Sequence, residues 1–284
     1  SKPAAPASTP ASATPCSPNG KEVGRRGRVG FGLILPTLLV AAALFACVPP
    51  LPQWLDYHDF ADQRTWLGVP HFANVASNAL FSLVGAAGLA CLFACTRRPV
   101  FHDARERWPW AVFFFALVML GPASAWYHLA PDNAGLFWDR LAMSVLFMAW
   151  LAIQIGERLG ARVGLAALPL LLCGGLAAVV WWIRSEAAGQ GDLRAYGFVH
   201  FHSIVLILLL CALFPPRYSR AGEVLVVLAL YGAALAAERM DRWIFDLTGL
   251  VSGHTLKHLI AAAAAWRALV MLVRRRPLPR SDGA

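Results

Sequence analysis

Eight long, nearly uncharged apolar stretches constrain this chain more than any other feature. They cover residues 31–48, 72–95, 108–128, 137–156, 163–183, 198–214, 224–237 and 250–273. Most are close to the ~20 residues that an α-helix needs to cross the hydrocarbon core of a bilayer. Only helices and closed barrels can span lipid, and these stretches lack the alternating pattern of barrel strands. We therefore predict an all-α fold, a polytopic membrane helix bundle.

The overall composition excludes several other classes of protein. Hydrophobic residues make up 58% of the 284-residue chain and charged residues only 14%, whereas soluble domains carry about 25% charged residues. A soluble globular enzyme of this size could not bury so much apolar surface. Disordered, coiled-coil and collagen-like chains do not fit this composition either.

The segments outside the apolar stretches suggest a division of the chain. Residues 1–29 are rich in Ala, Pro, Ser and Thr, which indicates a disordered cytoplasmic tail. No small-residue cleavage pattern follows the next stretch, so residues 30–48 are interpreted as an additional N-terminal transmembrane helix rather than a signal peptide. An outer loop over 49–71, a seven-helix core over 72–275 and a basic cytoplasmic tail over 276–284 complete the prediction.

Basic residues between the stretches predict the orientation. One side of the predicted membrane carries 17 of them: Lys2, Lys21, Arg25, Arg26, Arg28, Arg97, Arg98, Arg105, Arg107, Arg158, Arg162, Arg217, Arg220, Arg274, Arg275, Arg276 and Arg280. The other side carries five: Arg64, Arg184, Arg194, Arg239 and Arg242. Because basic loops stay in the cytoplasm, both termini are predicted there.

The same bias explains the net charge of +9 without a nucleic-acid partner. The Ala- and Arg-rich composition favours a bacterial inner membrane as the location. The predicted partners are the lipid bilayer and a membrane lipid substrate, and the sequence indicates no protein partner.

Three polar clusters interrupt the apolar stretches, and polar residues at such positions are costly enough to suggest function. Helix alternation places all three at one depth, on the outer side. They comprise Ser124 with His128, Asp139 with Arg140, and His254 with Lys257 and His258. Three imidazoles within reach of one another suit tetrahedral zinc with a fourth position open for water. We therefore predict a zinc site with His128, His254 and His258 as the ligands.

A hydrolytic site of this kind also needs a base. Thr255 stands where soluble HExxH proteases carry their glutamate, and Lys257 is protonated at neutral pH. Asp139 is therefore the predicted base, and Ser124 is a candidate hydrogen-bond donor to an oxyanion. Lys257 is a possible partner outside the ligand shell.

Each of these residues also has a purely structural interpretation. Asp139 and Arg140 could form an interfacial pair, Ser124 could bond a backbone carbonyl, and a lone histidine is often a satisfied hydrogen-bonding residue. The matched spacing and depth of the clusters favour the metal site.

The remaining histidines are less informative. His200 and His202 are two residues apart and so point to different faces of a helix; one could enter the site as a ligand or an outer partner, or both could be interfacial. His58, His71 and His102 lie in loops or at helix edges and receive no predicted role.

The ordered set of polar residues resembles the alkaline ceramidase family, within the CREST group of membrane hydrolases that includes the adiponectin-receptor-like proteins. That group has a Ser and a His on one helix, an Asp at the start of the next and HxxxH on the last. The segment Phe72-Ala-Asn-Val-Ala-Ser-Asn is similar to the family's F-x-N-x-x-S-N. The resemblance implies a seven-helix core with zinc on the three histidines, Asp139 handling the water proton and Ser124 assisting the carbonyl. The implied reaction is hydrolysis of ceramide to a sphingoid base and a fatty acid.

Two features depart from the family pattern. The helix over 30–48 is additional. The family also places acidic residues for Ca²⁺ before the first core helix; Asp56, Asp59 and Asp62 are available, but His71 stands where an acidic residue is expected. The calcium site is therefore in doubt.

The expected function is that of a zinc-dependent intramembrane hydrolase of ceramide or a related N-acyl lipid. A non-catalytic receptor-like or regulatory membrane protein that keeps the zinc site is the main alternative. A proton or metal transporter ranks lower, because the chain shows no internal repeat and the clusters sit near one face.

Overall fold

The structure, a computed structural model, describes residues 32–94 and 100–279. Apart from two isolated bridges, the regular structure of this part of the chain is helical. The α-helices are α1 Ile34–Cys47, α2 Phe72–Ser77, α3 Ala79–Ala94, α4 Arg107–Leu129, α5 Asn133–Leu159, α6 Ala161–Ala187, α7 Arg194–Leu213, α8 Glu223–Arg239, α9 Asp241–Thr248 and α10 Gly253–Arg274. Short 3-10 turns occupy Leu55–His58 and Ala104–Glu106. The predicted tail over 1–29 and residues 280–284 of the second tail lie outside the described residues.

Six helical segments are long and apolar enough to cross a membrane, which confirms the all-helical, membrane-type architecture. They are Phe72–Ala94, Ala104–Leu129, Asn133–Leu159, Ala161–Ala187, Arg194–Leu213 and Gly253–Arg274. The predicted count of eight spans is not confirmed. Helix α1 has only 14 residues and α8 only 17, both short of a full crossing.

The helices pack around a central cavity. Helix α5 contacts α4, α6 and α7, while α10 packs between α3 and α8. Helices α7 and α8 both line the cavity but do not pack closely against each other. The candidate site lies where α4 ends and where α5 and α10 begin, which we call the site end of the bundle.

Helix α1 packs against α7 and buries none of its own residues. The His202 ring and the Thr37 hydroxyl are hydrogen-bonded at 3.0 Å. The guanidinium of Arg194 donates to the carbonyls of Phe45 and Val48 and lies over the Phe45 ring. The additional helix is thus fastened to the bundle by polar contacts near its end.

Asp192 neutralises the arginine that makes this connection. Two N–H groups of Arg194 donate to its carboxylate at 2.9 and 2.8 Å, and these bonds lower the pKa of Asp192 to about 2 from its ordinary 3.8. A group whose pKa falls on folding stabilises the fold above its unfolded pKa. That stabilisation is lost as the pH falls through the folded value.

We expect Asp192→Asn to lower the unfolding temperature of the detergent-solubilised protein near neutral pH. The deficit should stay constant down to about pH 5 and shrink between about pH 4 and pH 2, where the wild-type carboxylate becomes protonated. Thermal unfolding across this range measures it, with the exposed Asp56 changed to Asn as the control. A deficit that grows on acidification would contradict this assignment.

The loop over residues 49–71 folds across the site end. The backbone N–H of Gln53 donates to Glu186 at 2.6 Å, and that of Ala61 donates to Asp241 at 2.9 Å. These bonds join the loop to α6 and α9. They hold the buried Phe60 over the histidines described next.

Candidate metal centre

The site end gathers the predicted residues from three helices. His128 lies in the last turn of α4, Asp139 in the second turn of α5, and His254 and His258 in the first two turns of α10. The connection between α4 and α5 is short, because the Asp132 side chain accepts from the Gly135 N–H at 2.6 Å and caps α5. Local capping therefore places the α4 and α5 residues side by side.

The three predicted ligands form a nearly equilateral triangle. Ring centroids are 4.9 Å apart for His128 and His254, 5.0 Å for His128 and His258, and 4.9 Å for His254 and His258. One ring nitrogen from each lies within 4.8 Å of the other two, and all three side chains are buried. This group could hold a metal ion.

Two ring nitrogens support that interpretation. Among the described residues, Nδ1 of His128 and Nε2 of His254 are buried without a hydrogen-bond partner. A buried polar atom left unsatisfied is costly, and most have partners. A neutral imidazole nitrogen is a common metal ligand and a preferred one for zinc. The donor set therefore fits the predicted metal.

The backbone at the start of α10 is held in place at His254, the first histidine of the HxxxH pair. Ser252 caps the helix by accepting from the Thr255 N–H at 3.1 Å, and Asp241 accepts from the His254 N–H at 2.7 Å. Gly253 must be glycine, because a Cβ there would lie 2.6 Å from the Cα of Asp241. The backbone of α9 thus sets where the two histidines begin.

The F-x-N-x-x-S-N motif supports the same pair from α2. The Ser77 hydroxyl donates to the Asn74 carbonyl at 3.0 Å, so its oxygen accepts from Nδ1 of His258 at 2.9 Å. The Thr255 hydroxyl donates to the Asn74 side chain at 2.6 Å. With Nδ1 acting as the donor, Nε2 of His258 keeps its lone pair for a metal.

Replacing Ser77 with alanine is expected to weaken zinc binding about 10- to 100-fold, because the orienting partner of a ligating histidine is lost. Competition with a zinc chelator of known affinity measures the change. Ser144→Ala is the matched control, since Ser144 contacts His200 at 3.3 Å, away from the ligand triangle. Equal zinc affinity in the Ser77→Ala and wild-type proteins would contradict the supporting role.

Ser124 and Asp139 lie beside the triangle, and both side chains are buried. The Ser124 hydroxyl lies close to the Asp139 carboxylate. Both side chains line the central cavity, as does His258. The predicted base and hydroxyl donor therefore share one space with a predicted ligand.

The cavity has a volume of about 280 Å³ and two chemically different ends. Its polar end contains Ser124, Asp139, Arg140, Glu238, Lys257 and His258. Its apolar end contains Phe113, Leu117, Leu146, Trp150, Val227 and Ala264. A ligand with a polar group at one end and a hydrocarbon chain at the other fits this division.

Lys257 lines the polar end of the cavity together with His258. It forms an ion pair with Glu238, whose carboxylate also lies 3.8 Å from Nδ1 of His254 and 3.5 Å from the Tyr57 hydroxyl. Burial and the nearby Glu238 raise the pKa of Tyr57, so its phenol stays neutral. Glu238 and Tyr57 had no predicted role.

The other predicted histidines stay outside the triangle. His200 lines the cavity and packs against the rings of Tyr196 and Phe147, with Ser144 as its polar contact. His202 faces α1 instead. Neither is in the group that could hold a metal.

Three residues of the loop over 49–71 complete the enclosure. Phe60 is 3% exposed, and its ring centroid lies 4.7 Å from that of His128 and 4.5 Å from that of His254. Nδ1 of His71 is 2.9 Å from the His128 carbonyl, and His58 is hydrogen-bonded to Tyr127 at 2.9 Å. His58 and His71, which had no predicted role, thus lie next to the site.

Two of the three acidic residues considered for calcium, Asp59 and Asp62, pair with arginines. Arg64 donates to both carboxylate oxygens of Asp62, which lowers the pKa of that carboxyl, and Arg242 pairs with Asp59 at 3.0 Å. Within residues 32–94 and 100–279, the group of side chains able to hold a metal is the histidine triangle. These contacts give the calcium expectation no support.

Comparison with known proteins adds no family assignment: no protein-family model matches the chain, and no curated protein matches it.

Proposed function

We propose that the protein is a zinc-dependent intramembrane hydrolase that cleaves the amide bond of ceramide or a related N-acyl lipid and releases a fatty acid. One observation carries the proposal. The triangle of His128, His254 and His258 adjoins the polar end of an apolar cavity, which His258 lines together with Ser124 and Asp139. A purely structural metal would not need a carboxylate and a hydroxyl at an adjoining cavity.

The proposal includes a membrane topology. Helix α8, continued by α9, completes a seven-helix core with the six longer helical segments, and α1 is the additional N-terminal helix. Both termini lie in the cytoplasm of a bacterial cell, and the site end faces the outer side of the inner membrane. The 17-to-5 distribution of basic residues supports this orientation.

The chemistry divides between the metal and the chain. Zinc held by three histidines acts as a Lewis acid that lowers the pKa of water and polarises a carbonyl. Asp139 accepts a proton from the attacking water at a carboxylate oxygen, as a C–O bond forms at the amide carbon. It then gives that proton to the amide nitrogen as the C–N bond breaks.

Two side chains assist this proton transfer. Ser124 lies close to Asp139 and can donate a hydrogen bond to the carbonyl oxygen as negative charge develops there. Lys257 brings a positive charge to the same cavity, partly balanced by Glu238. Because the cavity is largely apolar, these charges act in a medium of low dielectric constant, where they have strong effects.

Access from the bilayer suits a lipid substrate. Phe60 covers the histidines on the side of the 49–71 loop, whereas α7 and α8 leave a side of the cavity without close helix packing. Phe201 of α7 lines the cavity and is still 59% exposed. A lipid chain can therefore enter between α7 and α8 without passing through water.

Fatty-acid release from reconstituted vesicles tests this function. Vesicles with the wild-type protein and a panel of N-acyl lipids, including ceramide, are expected to accumulate free fatty acid, quantified by mass spectrometry. Vesicles with a His254→Ala/His258→Ala variant should resemble empty vesicles. Zinc-loaded wild-type protein that releases no fatty acid from any lipid in the panel would favour a regulatory membrane protein instead.

A further inference from the structure

Arg140 is a buried cation at the polar end of the cavity. Its side chain lines the cavity, yet the residue is only 5% exposed. The guanidinium carbon lies 4.1 Å from the ring centroid of Trp182, 4.8 Å from that of Tyr196 and 5.4 Å from that of Tyr57. Nη2 donates to Oε1 of Gln53 at 2.6 Å.

This cation forms no close ion pair among the described residues, although the carboxylate of Asp139, the preceding residue, is near enough to interact with it electrostatically. None of the ion pairs in residues 32–94 and 100–279 includes Arg140, and its Nη1 is buried without a hydrogen-bond partner. Lys257, which lines the same cavity, is paired with Glu238. A buried unpaired charge is costly, and the aromatic faces compensate it only in part.

A structural role explains only some of this arrangement. The three rings and Gln53 connect Arg140 of α5 to α6, α7 and the 49–71 loop, which is a structural role. A purely structural connection would not need a guanidinium that lines a cavity while one of its N–H groups stays buried and unbonded. Arginine presents its donors in a rigid fork that matches the two oxygens of a carboxylate or phosphate. Held by its rings, Arg140 is preorganised for such a group.

The order of residues along α5 indicates which part of a substrate would carry the anionic group. Side chains of one face of α5 line the cavity in the order Asp139, Arg140, Met143, Leu146, Phe147 and Trp150. At 1.5 Å per residue this face extends about 16 Å from its polar to its apolar end. An acyl chain along the apolar part puts the amide and the attached amine portion at the polar end, where Asp139 and Arg140 are consecutive residues.

We propose that Arg140 binds the anionic headgroup of the lipid, so that the preferred substrates are acyl amides whose amine portion carries a carboxylate or another oxyanion. The substrate class rests on the proposed amidase function. The anion site itself does not, because it depends only on the cavity and the unpaired guanidinium. Neutral ceramide offers hydroxyl oxygens as acceptors but no negative charge to the Arg140 guanidinium.

A binding experiment tests the anion site independently of turnover. N-oleoylglycine and N-oleoylethanolamine differ mainly in a carboxylate and a hydroxymethyl group, and Asp139→Asn protein is used to prevent hydrolysis. We expect the glycine conjugate to bind about 10- to 100-fold more tightly, the range of a hydrogen bond to a charged group. Equal affinity of the two lipids would overturn the proposal without any further variant.

Variants and a third lipid identify the source of the preference. Adding Arg140→Met should remove the preference for N-oleoylglycine, and Arg140→Lys should keep part of it. The control is Arg239→Met, a change at an exposed arginine that lies over the ring of Trp54, and it should leave the preference intact. Oleate separates a headgroup from a released fatty acid. If oleate binds as tightly as N-oleoylglycine and loses as much on Arg140→Met, the site holds the product, and the substrate class is wrong.

Hydrolysis by the wild-type protein completes the test. The kcat/KM for N-oleoylglycine should exceed that for N-oleoylethanolamine by about the same 10- to 100-fold, and Arg140→Met should abolish the difference. Selective binding without hydrolysis of either lipid would leave the anion site standing and count against the amidase function. Hydrolysis of both lipids with equal kcat/KM would support the amidase function and count against the anion site.

Discussion

Replacing His258 with alanine is expected to release the bound zinc and to abolish amide hydrolysis. His258 is one of three ligands in a compact triangle, with ring centroids 4.9 and 5.0 Å from its two partners. Loss of an outer partner of a ligating histidine already costs about 10- to 100-fold in affinity, so loss of the ligand itself should cost more than about 100-fold. Elemental analysis of the purified protein and fatty-acid release from vesicles measure the two effects.

The control for this variant is another histidine of the same bundle. His202 contacts Thr37 of α1 at 3.0 Å and lies outside the triangle. His202→Ala should therefore keep both zinc and activity, although it loosens α1. A His258→Ala protein that retains one zinc per chain would show that the triangle is not the metal site.

Changing Asp139 to asparagine should lower kcat about 10²- to 10⁴-fold while the zinc content stays at the wild-type value. Asparagine has nearly the shape of aspartate and can still accept a hydrogen bond from Ser124. It cannot take the proton of the attacking water. Fatty-acid release at saturating lipid, measured together with bound zinc, separates loss of the base from loss of the metal.

Asp132→Asn provides the matched control for that change. Asp132 caps α5 seven residues earlier, and asparagine is an equally good N-cap, so activity should be unchanged. If Asp139→Asn keeps more than about a tenth of the wild-type kcat, the proton acceptor is another group. Glu238, near His254 in the same cavity, would be the next residue to change.

The convergence of the three histidines could be predicted because it depends on helix periodicity and alternation alone. Residues four apart share a helix face, and alternating spans return to the same side of the membrane. The short connection between α4 and α5 then leaves little freedom between His128 and Asp139. These rules involve only local spacing.

The supporting residues could not be found this way, because they come from distant parts of the chain. Phe60 reaches the histidines through a loop held by Asp241 and Glu186, and Ser77 reaches His258 across 181 positions. Nothing in the local sequence of either residue indicates such a contact. Only the F-x-N-x-x-S-N motif marked Ser77, without indicating its partner.

The helix count and the pairing of Asp139 with Arg140 show two further limits. Hydropathy marks apolar stretches but not where helices begin and end: within the predicted span over 31–48 the structure describes a helix at Ile34–Cys47, and the last helix begins at Gly253. Adjacent residues on a helix point about 100° apart. Asp139 and Arg140 therefore both line the cavity without forming an ion pair.

The most direct test of zinc-dependent lipid hydrolysis is a metal titration of the reconstituted wild-type protein. Zinc is removed with a chelator, then returned in increments while fatty-acid release from an N-acyl lipid is followed. We expect release to cease in the metal-free protein and to recover linearly until one zinc is bound per chain. Full activity in the metal-free protein, or no activity after one equivalent of zinc has bound, would contradict the proposed hydrolase.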